Sequence, residues 1–258
     1  DDVQQGELGD CWFLSSLAAL AEFQDGKLVH ALLPGQSALS DVGAYLVRLC
    51  VGGRWREILV DDHLPCMGGG MYYTQLAYCV TKRQQLWASI IEKAFAKACG
   101  SYEAIRGGEA SEALEMLTGW PCTLHILGRP DFDAEKLWAT LRSSRDADFL
   151  MTCSTKGVRS RSLESDHVYS LLDVQEVADP RSSGGTVRLL KICNPHTRSK
   201  WEGDWSDASA LWTPQLRQKL GCPEGGSPQV FFMALGDFVQ EFAHCTVCRT
   251  RSGTWDEA

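Results

Sequence analysis

The sequence predicts an α+β fold in two parts, with residues 1–118 mainly helical and 119–258 rich in β-structure. Three observations carry this. Apolar residues recur at helical spacing in the first part, short apolar runs between Gly, Pro, Ser and Asp clusters fill the second, and Gly119-Trp120-Pro121 parts them. With 258 residues, 44% of them hydrophobic, the chain can bury one large core or two modest ones.

In order, 12–23 reads as a helix and 44–51 with 54–60 as a hairpin around the turn pair Gly52-Gly53. Segments 86–99 and 111–117 read as further helices. Beyond the boundary, 149–153, 167–174, 186–193 and 229–234 read as strands, with 179–185 a loop. No internal repeat or low-complexity tract appears.

Composition narrows the function classes. A net charge of −8 offers no basic face for nucleic acid. The longest apolar runs are broken by serines and too short to cross a bilayer, and no basic-then-apolar leader opens the chain, so no membrane segment is expected. The abrupt start at Asp1-Asp2 reads as a piece of a longer chain with additional domains. Eleven cysteines is an odd, scattered number. Cys50, Cys79, Cys99, Cys153 and Cys193 sit in apolar company, which fits small core residues in a reducing, cytoplasmic setting better than a disulfide framework. His244-Cys245-Thr246-Val247-Cys248 has a zinc-like spacing but no second ligand pair, so strand-borne thiols are the preferred reading. Gly68-Gly69-Gly70 lacks the Lys-Ser/Thr ending of a phosphate loop, and no organic cofactor is expected.

One cysteine stands apart. Cys11 falls where Gln4-Gln5-Gly6-Glu7-Leu8-Gly9-Asp10 gives way to the first helix. A thiol there feels the positive end of the helix dipole and unpaired backbone N–H groups, which favour thiolate and lower its pKa. Gly6 and Gly9 let the backbone approach a substrate, and the Gln5 side-chain amide with the Cys11 N–H makes a candidate oxyanion hole. Packing is the plainer reading of a cysteine before a tryptophan. A thiolate also needs a base and a group to orient it. Ser165-Asp166-His167-Val168-Tyr169-Ser170 and Ile192-Cys193-Asn194-Pro195 supply both, each beside a strand run. His167 can shuttle the proton, and Asn194 can accept a hydrogen bond from its other ring nitrogen without adding charge. His30, His63, His125 and His244 read as core or surface residues.

Several stretches together resemble the protease core of the calpain family, over nearly the whole chain to about Phe242. They are Gln5-Gly6 through Gly9-Asp10-Cys11-Trp12-Phe13-Leu14, and Leu86-Trp87 through Glu92-Lys93-Ala94-Phe95-Ala96-Lys97 to Gly100-Ser101-Tyr102-Glu103-Ala104. The His167-Val168-Tyr169-Ser170 segment belongs with them, as does Asn194-Pro195 followed by Trp201, Gly203, Trp205-Ser206-Asp207, Ser209 and Trp212. The resemblance implies a papain-like two-lobe cysteine endopeptidase. Its helical N-terminal lobe would carry the nucleophile and its β-rich C-terminal lobe the histidine and asparagine, with the active site in the cleft. It implies Cys11, His167 and Asn194 as the catalytic residues, Gln5 in the oxyanion hole, and limited proteolysis of protein substrates by a monomeric core. Two departures stand out. Asp166 replaces the family's glycine before the histidine, and His196-Thr197 replaces its Trp-Gly after Asn-Pro. An acid beside His167, pointing inward, would favour imidazolium and weaken the base. Histidine is a smaller, wetter cover than tryptophan for the His–Asn pair.

Calcium enters through the resemblance as well. Asp2 and Glu92 match the family's helical-lobe ligands, and Asp207 matches one ligand of the β-lobe site. Lys200 and Ser227-Pro228-Gln229-Val230 stand where the others would be. A hard cation wants several oxygen ligands, so the expectation is a lost β-lobe site, at most a helical-lobe one, and reduced calcium dependence. Glu202, Asp204 and Glu224 are the substitutes if an insertion has moved the ligands. An inactive calpain-like scaffold or regulatory binding module, and a papain-like acyl transferase, are the alternatives. Trp201, Trp205 and Trp212 are expected to pack a core rather than line a cleft.

Overall fold

Patterning and turn chemistry divide the chain into the elements of the computed structural model, which describes residues 3–36, 38–69, 73–157, 162–179, 185–196, 199–227 and 229–250. In order these are β1 (Val3–Gln4), α1 (Cys11–Glu22), α2 (Lys27–Leu32), β2 (Ala44–Val51), β3 (Arg54–Asp61), β4 (Cys66–Gly69), β5 (Tyr73–Leu76), β6 (Val80–Thr81), α3 (Trp87–Cys99) and α4 (Ala110–Thr118). There follow β7 (Cys122–Ile126), α5 (Ala134–Asp146), β8 (Leu150–Thr155), β9 (Val168–Ala178), β10 (Thr186–Cys193), α6 (Pro214–Leu220), β11 (Val230–Ala234), α7 (Leu235–Glu241) and β12 (Phe242–Cys248).

Up to Thr118 the helices enclose one apolar core, flanked by small two-stranded sheets. The Gly52-Gly53 turn sets β2 against β3 with Val51 opposite Arg54, both glycines at the positive φ that a two-residue hairpin turn requires. α3 buries Ile90, Ile91, Ala94 and Phe95, and the Phe95 ring meets Phe13 at 4.5 Å and Trp12 at 5.6 Å, which holds α1 by its first turn. Each such ring removes about 1.5–3 kcal/mol worth of apolar surface from water.

The second half forms one antiparallel sheet in the order β11-β10-β9-β8-β12-β7, around a second core. It is not β-structure alone. α5 starts at Asp133, whose side chain accepts from the Glu135 and Lys136 N–H groups, and buries Leu137, Trp138 and Leu141 on one face. α6 and α7 are likewise helices that the sequence expectation for this half omitted. Leu150, Val168 and Cys248 of the second half complete the first core, so the two halves are packed directly on each other.

All eleven cysteines are unpaired. Cys245 and Cys248 lie three apart on β12, so the pleat throws their side chains to opposite faces, one into each core, where they cannot share an ion. Trp201 and Trp205 are buried, and Trp205, Trp212 and Phe232 stack edge to face, so these tryptophans pack structure. No helix among the described residues is long and apolar enough to cross a membrane.

Candidate active site

α1 reaches the sheet at an unfinished edge. β10 pairs with β9 only as far as Cys193 opposite Ser170, so on that side Val168 meets the helix, while β8 flanks its other side with Ser154 opposite it. Ser15 Oγ donates to the Val168 carbonyl at 2.6 Å, and Ser170 Oγ donates to the Ser15 carbonyl at 2.7 Å, all buried. Cys11 is one turn before Ser15 on the same helix face. That places the nucleophile candidate against the strand residue that follows His167, and the Val168 backbone favours its anionic form.

His167 and Asn194 are 5% and 1% exposed, and His167 Nε2 lies 2.8 Å from Asn194 Oδ1. An asparagine oxygen can only accept, so Nε2 carries the proton and Nδ1 is left with its lone pair. Burial lowers the His167 pKa, opposed by the Glu164 charge and the Asn194 bond. Among the described residues no hydrogen bond joins Cys11 Sγ to His167. Burial pushes the Cys11 thiol up, and the charges of Asp10 and Glu164 add to it against the pull of the Val168 and Trp12 backbone. The helix-dipole expectation of a lowered thiol pKa is therefore overturned in the resting site, where desolvation wins.

The candidate oxyanion donors flank the segment 6–10. Phe13 and Leu14 N–H both bond the Asp10 carbonyl, while Cys11 N–H donates to nothing among the described residues. Gln5 Nε2 donates to the Leu8 carbonyl at 2.7 Å, which fixes the amide and leaves it one N–H. The Gln5 backbone N–H donates to the Pro195 carbonyl at 3.1 Å, and Gln229 Nε2 to the Val3 carbonyl at 2.9 Å, so the strand before the thiol is tied to the loop after Asn194. Gly6 serves this packing rather than a substrate: a Cβ there would sit 2.3 Å from the Tyr78 carbonyl oxygen.

Glu92 does not face solvent. It is 2% exposed, accepts the Cys79 N–H on both oxygens at 3.1 and 3.3 Å, and neighbours the buried Asp10, whose oxygens lack a hydrogen-bond partner of good geometry. Burial pushes Asp10 up to about 7 and raises Glu92 well above an ordinary carboxyl, with the Asp10 charge raising Glu92 further. Asp207 is distant in the fold and already taken, by Arg217 Nη1 at 3.2 Å and Lys200 Nζ at 3.7 Å. Asp2, Thr197 and Pro228 lie outside the described residues.

The departures near the histidine resolve differently from each other. Asp166 is exposed, in the left-handed region at φ 53°, and bonds Ser165, so it does not point inward. His196 is anchored, with Nδ1 2.7 Å from Glu164 Oε2 and its ring 6.1 Å from that of His167. Burial raises Glu164, but its bond from Ser199, the charge of His167 and the His196 contact more than offset this and hold it below the ordinary carboxylate value. Glu164 escaped the sequence reading: no spacing rule links a turn carboxylate to groups thirty residues on.

Residues 1–249 match the model of the calpain family cysteine proteases. The chain belongs to the calpain family. It is 35% identical over 96% of its length to the calpain-type cysteine protease DEK1 of Zea mays, covering 11% of that protein. It is 31% identical over 96% of its length to the calpain-1 catalytic subunit of Bos taurus, covering 34% of it. Calpain-A of Drosophila melanogaster is 29% identical over the same share of the chain, which covers 30% of that protein. The chain thus spans between about a tenth and a third of these relatives.

Proposed function

We propose that this chain is the catalytic core of a papain-like cysteine endopeptidase that performs limited proteolysis of protein substrates. Its lobes are 1–118 and 119–258, and the cleft between them holds the site. The bond between His167 Nε2 and Asn194 Oδ1, beside the strand residue that receives the Cys11 helix, is the observation that most supports this.

The chemistry follows from the tautomer. His167 Nδ1 takes the Cys11 thiol proton as a peptide displaces water, and Asn194 steadies the imidazolium through Nε2–H. The thiolate attacks the scissile carbonyl carbon, and the oxyanion is met by Cys11 N–H and the remaining Gln5 Nε2–H. His167 returns the proton to the departing amine, leaving a thioester. A water deprotonated by His167 then cleaves it, releasing the acid and the thiol. Burial works against the thiolate in the resting site, and proton transfer to His167 as the substrate binds supplies the nucleophile.

Calcium fits these residues poorly. Asp207 already faces two cations, Glu92 is buried against a main-chain donor and a second carboxyl, and Glu202, Asp204 and Glu224 are exposed. Regulation is accordingly read as less calcium-dependent than the family resemblance implies. No step above runs through the ion.

The test is cleavage of an unfolded protein by the chain, in calcium and in chelator, beside Cys11→Ala. Cleavage in both buffers that the substitution abolishes is expected. Cleavage that survives Cys11→Ala, or none in either buffer, contradicts the reading, the second outcome favouring an inactive scaffold. Calorimetric titration with calcium adds a separate check: heat abolished by Asp207→Ala would refute the lost β-lobe site.

A further inference from the structure

Behind Asn194 lies a charged network that the mechanism above does not use. Glu164 stands in the turn ahead of His167, its N–H donating to the Tyr169 hydroxyl at 3.0 Å and its carbonyl accepting from Thr155 Oγ1 at 2.6 Å. Its half-buried carboxylate gathers His196 Nδ1 at 2.7 Å, Ser199 Oγ at 2.8 Å and Asn194 Nδ2 at 3.4 Å. Asn194 Nδ2 also reaches the Ser199 carbonyl and hydroxyl, both at 3.2 Å. On the other side Asn194 Oδ1 accepts from His167 Nε2 and, at 2.9 Å, from the His196 backbone N–H. Both ends of the amide are held.

A carboxylate can only accept, so it must meet the nitrogen end of that amide. The oxygen then has to face His167. Were the amide reversed, a nitrogen would donate to His167 Nε2, the ring proton would move to Nδ1, and Nδ1 could no longer take the thiol proton.

We propose that Glu164 is a positioning residue that, together with the Ser199 carbonyl and the His196 N–H on the same amide, sets the orientation of Asn194 and through it the His167 tautomer, with Ser199 Oγ and the His196 ring as the other anchors of its carboxylate. The proposal rests on the catalytic reading of Cys11, His167 and Asn194 and adds to it a fourth side chain that touches no substrate. Glu164 thus does for the asparagine what the asparagine does for the histidine.

The tautomer can be read without turnover. Nitrogen-15 spectra of the imidazoles in a Cys11→Ala background are expected to show His167 protonated on Nε2, and Glu164→Gln, which offers donor and acceptor alike, is expected to mix the two tautomers. In the Cys11-containing chain Glu164→Gln should lower kcat about tenfold or more with KM within about twofold, because tautomer control acts on the chemical step. Glu164→Asp, still an acceptor only, should recover most of that loss. The exchanged pair Asn194→Asp with Glu164→Gln restores a donor facing an acceptor, and should exceed Asn194→Asp alone by about tenfold. This arm holds even if Glu164→Gln alone does not fold. A folded Glu164→Gln with an unmixed Nε2–H tautomer and unchanged kcat, or an exchanged pair no better than Asn194→Asp, overturns the proposal while the catalytic reading stands. Cleavage that persists in Cys11→Ala overturns both.

Discussion

Ser15→Ala is the sharpest perturbation of the way the site is assembled. Ser15 Oγ is the donor that Val168 O finds where β10 has run out, so the alanine removes a 2.6 Å bond and strands a buried carbonyl. A buried polar group left unpaired costs about 1–3 kcal/mol. For a chain of this size each kcal/mol lowers Tm by about 2–4 °C, so a loss of roughly 2–12 °C is expected. Cys11 addresses the same residue from one turn away, and a small misplacement of a reacting group costs a large factor in rate. Cleavage should fall about tenfold or more, mainly in kcat. Thermal melts followed by circular dichroism, with steady-state cleavage of a peptide, measure both. Ser170→Ala, which removes the reciprocal bond to the Ser15 carbonyl, should behave alike, and the double variant should lose less than the sum of the two. A Ser15→Ala chain with unchanged Tm and unchanged kcat would refute the claim that this contact sets the nucleophile.

Gly6→Ala drives a Cβ to within 2.3 Å of Tyr78 O and 2.5 Å of Ala77 O, both main-chain atoms, and should cost about 1–3 kcal/mol in urea unfolding. The buried Asp10 gives up its proton near pH 4 in the unfolded chain and near 7 in the folded one. Between those values the folded state holds the extra proton and stability falls as pH rises; Asp10→Asn should flatten that slope in melts across the range, and an unaltered slope would count against the buried pair. Gly203→Ala sets a Cβ 2.1 Å from the Trp201 ring and should expose that tryptophan, read as a red shift in its fluorescence.

What the sequence revealed depended on whether a signal was local. The α1 and α3 helices and the β2–β3 hairpin carry period and turn signals within a dozen residues, and they form within a residue or two of where those signals put them. α5 carries such signals too, an Asp133 N-cap and the Leu137, Trp138, Leu141 stripe, within a half whose other runs read as strands. His167 and Asn194 were legible because each sits in a distinctive motif, and the fold brings their side chains within hydrogen-bond distance. Glu164, Ser15 and Ser170 were not, since each works through a partner far along the chain: the pairing of β9 with β10 brings Asn194 and His196 to Glu164, and the docking of α1 on β9 joins the two serines to their partners. Cys11 shows the limit of a local electrostatic rule: the helix start favours thiolate, but burial and the charges of Asp10 and Glu164 oppose it, and of these the burial and Glu164 are not visible in the surrounding residues.

The central claim is that one thiol among eleven is the nucleophile and that His167 activates it. Treating the folded chain with a peptidyl chloromethyl ketone, whose carbon takes the sulfur as chloride leaves, and locating the adduct by mass spectrometry tests both points. The expected result is modification at Cys11 alone, slowed at least about a hundredfold by His167→Ala. Labelling spread over the other cysteines, or a Cys11 rate that His167→Ala leaves unchanged, would contradict the account.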